Sequence, residues 1–103
     1  MYNLLNEDKT VSRNVPHDLF MAEYEKQDKF KKLAEDFIGD FYISTVFLGI
    51  AFDDNVFETM VFKKDRENID FSGVYTQRYD NYMDAVMGHV NVKHKIQTDG
   101  KIE

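Results

Sequence analysis

Tyr42-Ile43-Ser44-Thr45-Val46-Phe47-Leu48-Gly49-Ile50, a short acidic break, and then Val56-Phe57-Glu58-Thr59-Met60-Val61-Phe62 decide the fold of this chain. This is its most apolar stretch and its richest in β-branched and aromatic residues, the composition of strands. The break, Ala51-Phe52-Asp53-Asp54-Asn55, ends in three turn-forming residues. The pair therefore reads as a β-hairpin at the centre of a small sheet, with strands over 42–50 and 56–63. Side chains alternate faces along a strand. Ile43, Thr45 and Phe47 oppose Tyr42, Ser44, Val46 and Leu48 on the first strand. Val56, Glu58, Met60 and Phe62 oppose Phe57, Thr59 and Val61 on the second.

Upstream, residues 1–15 read as an irregular N-terminal segment with a weak strand signal over 10–13. Pro16 suits a first helical turn, and Asn14 is chemically suited to cap it. Leu19, Ala22, Phe30, Leu33, Ala34 and Phe37 recur at helical spacing. The spacing thus predicts a helical segment over 16–38, with a break at 25–28 and Gly39 as its stop. Downstream, 63–68 reads as a charged loop and 70–79 as a third strand, in which Gly73 marks a bulge. Asp80 is the expected cap of a last helix over 81–95, with Tyr82, Val86 and Val90 on one face. Residues 97–103 are expected to fray. The expected fold class is α+β: one domain over 1–103, with a three-stranded antiparallel meander and both helical segments packed on one face. The other face then needs a cover: the N-terminal segment, a homodimer partner or a target.

The chain has 103 residues, 43% hydrophobic and 31% charged, which is a globular composition. It has no cysteine, so disulfides, thiolate zinc sites and cysteine nucleophiles are excluded. Its formal charge of -6 disfavours direct nucleic-acid binding, which needs a basic surface. No apolar run is long enough for a membrane span, and the N-terminus lacks the pattern of a signal peptide. Gly49 and Gly73 stand alone, so no phosphate loop or dinucleotide fingerprint is present and no cofactor is expected. His89 and His94 lie about 140° apart around a helix, unlike the ligand pair of a zinc helix, and no metal is expected.

Glu58, Arg78 and His89 form the best candidate polar site. If the last helix packs on the Glu58 face, His89 meets Glu58, and Arg78 ends the third strand nearby. The plainer reading is a structural network that orients helix against sheet. For partner binding the candidates are the acids of the N-terminal helical segment and of the hairpin tip: Glu23, Glu25, Asp28, Glu35 and Asp36, with Asp53, Asp54 and Asn55. Such acids could occupy a basic groove, although interleaved lysines make a solvated helix exterior the plainer reading.

Ser44-Thr45-Val46-Phe47-Leu48-Gly49-Ile50, Phe57-Glu58-Thr59-Met60-Val61-Phe62, Gln77-Arg78-Tyr79 and Ala85-Val86-Met87-Gly88-His89 resemble the motifs of a family of small bacteriophage and prophage proteins. The likeness covers about half the chain, residues 39–90. Family members carry an Asp-His pair after the first strand, where this chain has Ala51-Phe52-Asp53-Asp54-Asn55, so no role of that histidine carries over. The resemblance itself implies no particular activity, and the chain shows no catalytic motif, so no enzyme is expected. Together with the acidic, cysteine-free composition the resemblance implies a protein acting in the host-cell cytoplasm. There it would bind and inhibit or modulate a host protein without catalysis, as an anti-CRISPR or other counter-defence protein does; the target could be a nucleic-acid-binding nuclease. The alternatives are a self-associating accessory domain, or a small-molecule binder using Glu58, Arg78 and His89.

Overall fold

The computed structural model describes residues 1–26 and 32–102. It is an α+β structure in which a four-stranded antiparallel sheet carries a long C-terminal helix across one face. Strands β1 (Leu4–Leu5) and β2 (Val11–Ser12) form a small N-terminal hairpin, followed by helix α1 (His17–Lys26). Strands β3 (Lys32–Ile38), β4 (Phe41–Phe47), β5 (Phe57–Asp65) and β6 (Asn68–Tyr79) pair in sequence order, and helix α2 spans Tyr82–Asp99.

The expected hairpin is present as β4 and β5, with Tyr42 opposite Phe62 and Phe47 opposite Phe57. The sheet has four strands instead of three, because the second half of the expected 16–38 helix is β3. Residues 27–31, which hold the end of the break expected at 25–28, lie outside the described residues. Leu33, Ala34 and Phe37 do recur at helical spacing, but pairing with β4 prevails from Lys32 opposite Val46 to Ile38 opposite Phe41. Ala34, Asp36 and Ile38 then turn towards α2, with Glu35 and Phe37 on the far face. Gly39 does not stop a helix. With Asp40 it makes a two-residue turn, and its φ of +54° suits the first central position of a hairpin turn. The charged loop expected over 63–68 is likewise mostly strand: Asp65 pairs with Asn68 around Arg66-Glu67.

Helix α2 begins after Asn81, whose side-chain oxygen accepts the Asp84 N–H at 2.8 Å; Asn81, rather than Asp80, is the cap. Its buried stripe is Ala85, His89, Val92 and Ile96, spaced four, three and four residues apart. Val90, expected on the buried face, is exposed. A polar residue occupies the stripe because its ring is hydrogen bonded on both sides, which apolar periodicity does not register. Val92 and Ile96 each contribute about 1.5–3 kcal/mol through burial. The tail does not simply fray: α2 continues to Asp99, Gly100 ends it at φ +71°, and Ile102 returns into the core.

Helix α2 packs on the Ile43, Thr45, Phe47 and Thr59, Val61 face, away from Glu58. Beneath it lie two apolar clusters. One gathers Phe47, Val56, Phe57, Tyr79 and Ala85 with Leu5 from the N-terminal hairpin. The other gathers Ile43, Val61, Val92, Ile96 and Ile102. Thr45 and Thr59, opposite each other in the ladder, form a polar layer between the two. The N-terminal segment is also more ordered than expected. Asn3 N–H donates to the Gly49 carbonyl at 2.7 Å, and Tyr2 packs on Phe20 of α1. Asn14 caps nothing, since it sits at φ +54° and its N–H donates to the Asn3 side chain.

Candidate functional site

The polar layer is one directed chain of hydrogen bonds. Lys93 Nζ lies 3.1 Å from one carboxylate oxygen of Asp36, and His89 Nε2 lies 2.8 Å from the other. The carboxylate only accepts, so the imidazole proton sits on Nε2. In the neutral ring Nδ1 accepts from the Thr45 hydroxyl at 2.7 Å, and Thr45 in turn accepts from Thr59 at 2.6 Å. Asp36 is supplied by β3, Thr45 by β4, Thr59 by β5, and His89 and Lys93 by α2. The Asp36 carboxyl is held below its ordinary value, first by the His89 hydrogen bond and further by Lys93, against the opposing effect of burial.

Hydroxyl, imidazole and carboxylate have here the connectivity of a nucleophilic triad. Thr45 and Thr59 are both 0% exposed and His89 only 4%. In this conformation the hydroxyl lies sealed between sheet and helix, where no substrate reaches it. The arrangement therefore does what buried polar networks do: it fixes one mutual position of helix and sheet.

Tyr79 closes this layer at β6. Its ring passes so near α2 that a Cβ added at Gly88 would lie 2.1 Å from the Tyr79 hydroxyl and 2.4 Å from Cζ. The hydroxyl points towards Thr59, yet no hydrogen bond of good geometry holds it among the described residues. Burial raises its pKa above the ordinary value of 10.0. Thr45, Thr59, Tyr79 and the Gly88-His89 pair each come from a different one of the four motif stretches. Those motifs thus meet in one buried layer.

The expected polar site does not assemble as a unit. Glu58 and Arg78 are cross-strand partners, with Arg78 Nε 3.4 Å from the Glu58 carboxylate. His89 lies on the other side of the sheet, because period-two alternation turns Thr59, its neighbour in the chain, towards α2 and Glu58 away. Arg78 also reaches Asp53 at 3.6 Å. Among the acids proposed for partner binding, Asp36 is committed to His89 and Lys93. Glu35 accepts from Lys32 at 2.8 Å and from the Tyr42 hydroxyl at 2.7 Å. Glu23 lies half-buried on α1. The Glu25 side chain and Asp28 lie outside what is described. Asp53, Asp54 and Asn55 sit together at an exposed tip.

That tip is held firmly. Asn55 N–H donates to the Asp53 carboxylate at 2.9 Å, and Leu48 N–H to the Val56 carbonyl at 2.6 Å. Arg13 from the N-terminal hairpin donates to the Asp54 carbonyl at 2.7 Å and to the Asp80 carbonyl. On this pinned loop Phe52 stands 95% exposed. Its place inside a polar break gives it no strand or helix periodicity in the sequence. An aromatic between turn residues was the available signal.

Two further surfaces stand out. A shallow groove of about 410 Å³ runs between β6 and α2, past Tyr75, Gln77, Asn91 and Lys95. On the face away from α2, Phe37, Tyr42, Phe62 and Phe71 form a row across all four strands, with ring centroids 4.8, 5.9 and 5.3 Å apart in succession. Among the described residues no cluster of histidines and acids is placed to hold a metal ion, and no helix is long and apolar enough to cross a membrane. Comparison with protein-family models, with curated proteins and with solved structures finds no match to this chain.

Proposed function

We propose that this chain is a small acidic protein that binds a host protein, and inhibits or modulates it without catalysis, through the Phe52-Asp53-Asp54-Asn55 tip. The observation that carries this reading is Phe52, 95% exposed on a loop anchored at both ends. A rigid, exposed aromatic is the usual anchor of a protein interface, since it loses little conformational freedom when it enters a pocket. The adjoining carboxylates and the net charge of -6 favour a partner whose pocket has a basic rim. A nucleic-acid-binding nuclease has such a surface, and the resemblance of the motifs to phage proteins supplies the host context. Sealing of the Thr45 hydroxyl supports a role without catalysis. The acids of β3 drop out of the contact surface, because Asp36 and Glu35 are engaged within the fold.

A photo-crosslinking phenylalanine analogue at position 52, used in host cells, captures the partner. The captured protein is then purified and its affinity measured directly. Phe52→Ala is expected to weaken binding about tenfold or more and Asp54→Lys to weaken it severalfold, both at unchanged thermal stability. Capture of no discrete species, or an affinity indifferent to both changes, refutes the reading.

A further inference from the structure

Along β5, the face turned away from α2 presents Glu58, Met60, Phe62 and Lys64 in one line: acid, apolar, apolar, base. Phe62 belongs to the aromatic row, and Lys64 Nζ lies 5.9 Å from the Phe37 ring, on the same side. This line is complementary to itself. A twofold axis lying in the face, crossing β5 between Met60 and Phe62, sets Phe62 of one copy over Met60 of the other and Lys64 over Glu58. The neighbouring strands repeat the relief. The aromatic row stands out at its exposed ends, Phe37 and Phe71, with Tyr42 and Phe62 packed between them, and the adjacent row holds Glu35, Ser44, Met60 and Thr76. The same rotation lays each aromatic row along the other copy's adjacent row, so the exposed ends at Phe37 and Phe71 are covered.

We propose that a second copy of this chain covers this face, forming an isologous dimer in which two four-stranded sheets stack. Charge favours a second copy. Lys32, Lys64 and Arg78 on this face are matched by Glu35, Glu58 and Asp53. The whole chain carries -6, so two copies meet with least repulsion on a locally neutral face. A nucleic-acid base is a poor occupant. Phe37 and Tyr42 stack at 21° and Tyr42 and Phe62 at 23°, so these rings already occupy one another's faces. Four strands and four outward rows span roughly 500 Å² per copy. A standard interface uses about 800 Å² per partner, so the dimer is reversible and concentration-dependent. Phe37, 57% exposed, and Phe71, 68% exposed, lose their solvent contact in it.

The inference does not use Phe52 and stands or falls without it; its face adjoins the tip only where Arg78 pairs with Asp53. Sedimentation velocity from low micromolar to near-millimolar protein is the test. The wild type is expected to pass from monomer to dimer over that range. Lys64→Glu and Glu58→Lys each place like charges together, and each is expected to raise the dimer dissociation constant about tenfold or more. Mixed in equal amounts, these two variants restore both ion pairs and associate with each other in preference to themselves. Because Glu58→Lys also disturbs Arg78, Phe71→Asp serves as a variant at an exposed position: it abolishes the dimer with an unchanged melting temperature. A wild type that stays monomeric throughout overturns the proposal, as does a mixture of the charge variants that fails to associate.

Discussion

At the scale of single residues, the tightest constraint is the crossing of Tyr79 beneath Gly88. A methyl group at position 88 would meet the Tyr79 ring at 2.4 Å, so either the ring leaves its seat or α2 lifts from the sheet. Gly88→Ala is expected to cost about 2–3 kcal/mol despite the better helix propensity of alanine. Tyr79→Phe should be close to neutral, because the hydroxyl it removes is buried without a well-formed hydrogen bond. Combining the two should not rescue Gly88→Ala, since the ring carbon remains in the way. Urea unfolding of the three variants measures all of this, and a Gly88→Ala variant as stable as wild type contradicts the packing described. None of it was visible in the sequence. A glycine beside a histidine in a helix announces neither a ring packed against it nor a polar layer beside it.

At the scale of elements, three of the four sheet strands and the starts of both helices were legible, and β3 was not. The hairpin of β4 and β5, the third of the expected strands and α2 all fall where composition and alternation place them. β3 is not legible because seven residues sample too few turns to separate a period of two from a period of 3.6. The inward place of Asp36, which makes the alternation look broken, is secured only by His89 and Lys93 from the far end of the chain. The Glu58–Arg78 pairing was legible, since both lie on strands. Which face α2 would choose was not, because each face offers enough apolar side chains. Turns carry the prediction at this scale. Arg66 sits at φ +57° at the first central position of the β5–β6 turn, where a side chain is strained. Arg66→Gly is expected to raise stability by about 0.5–1 kcal/mol, whereas Gly39→Ala, at φ +54° in the β3–β4 turn, should lower it by about the same amount. Thermal unfolding of both variants reads the two signs, and the same sign for both is the result that contradicts the turn assignments.

At the scale of the whole molecule, the polar layer links stability to acidity. The Asp36 carboxyl titrates below its ordinary 3.8, mainly because of His89. A group held down in this way adds stability above the unfolded value and loses it as pH falls through the folded one. Wild type should therefore weaken below about pH 4, partly through this one carboxylate. Asp36→Asn should lower stability at neutral pH by about 1.5–3 kcal/mol and flatten the acid limb of a plot of stability against pH. Parallel acid limbs for the two proteins would assign the loss to other carboxylates. The layer also bears on how the sheet finds its alignment. Thr45 and Thr59 form a single hydroxyl rung between apolar rungs at Ile43–Val61 and Phe47–Phe57. A chain collapsed with β4 displaced by two residues keeps every side chain on its proper face, so the apolar pattern alone would tolerate the slip. It would set Thr45 against an apolar partner and leave His89 facing a methyl group, with buried donors and acceptors unmet. The rung thus marks the one alignment at which the sheet can close without trapping thirsty polar atoms, and the slipped states that apolar packing would permit are expelled from the native ensemble.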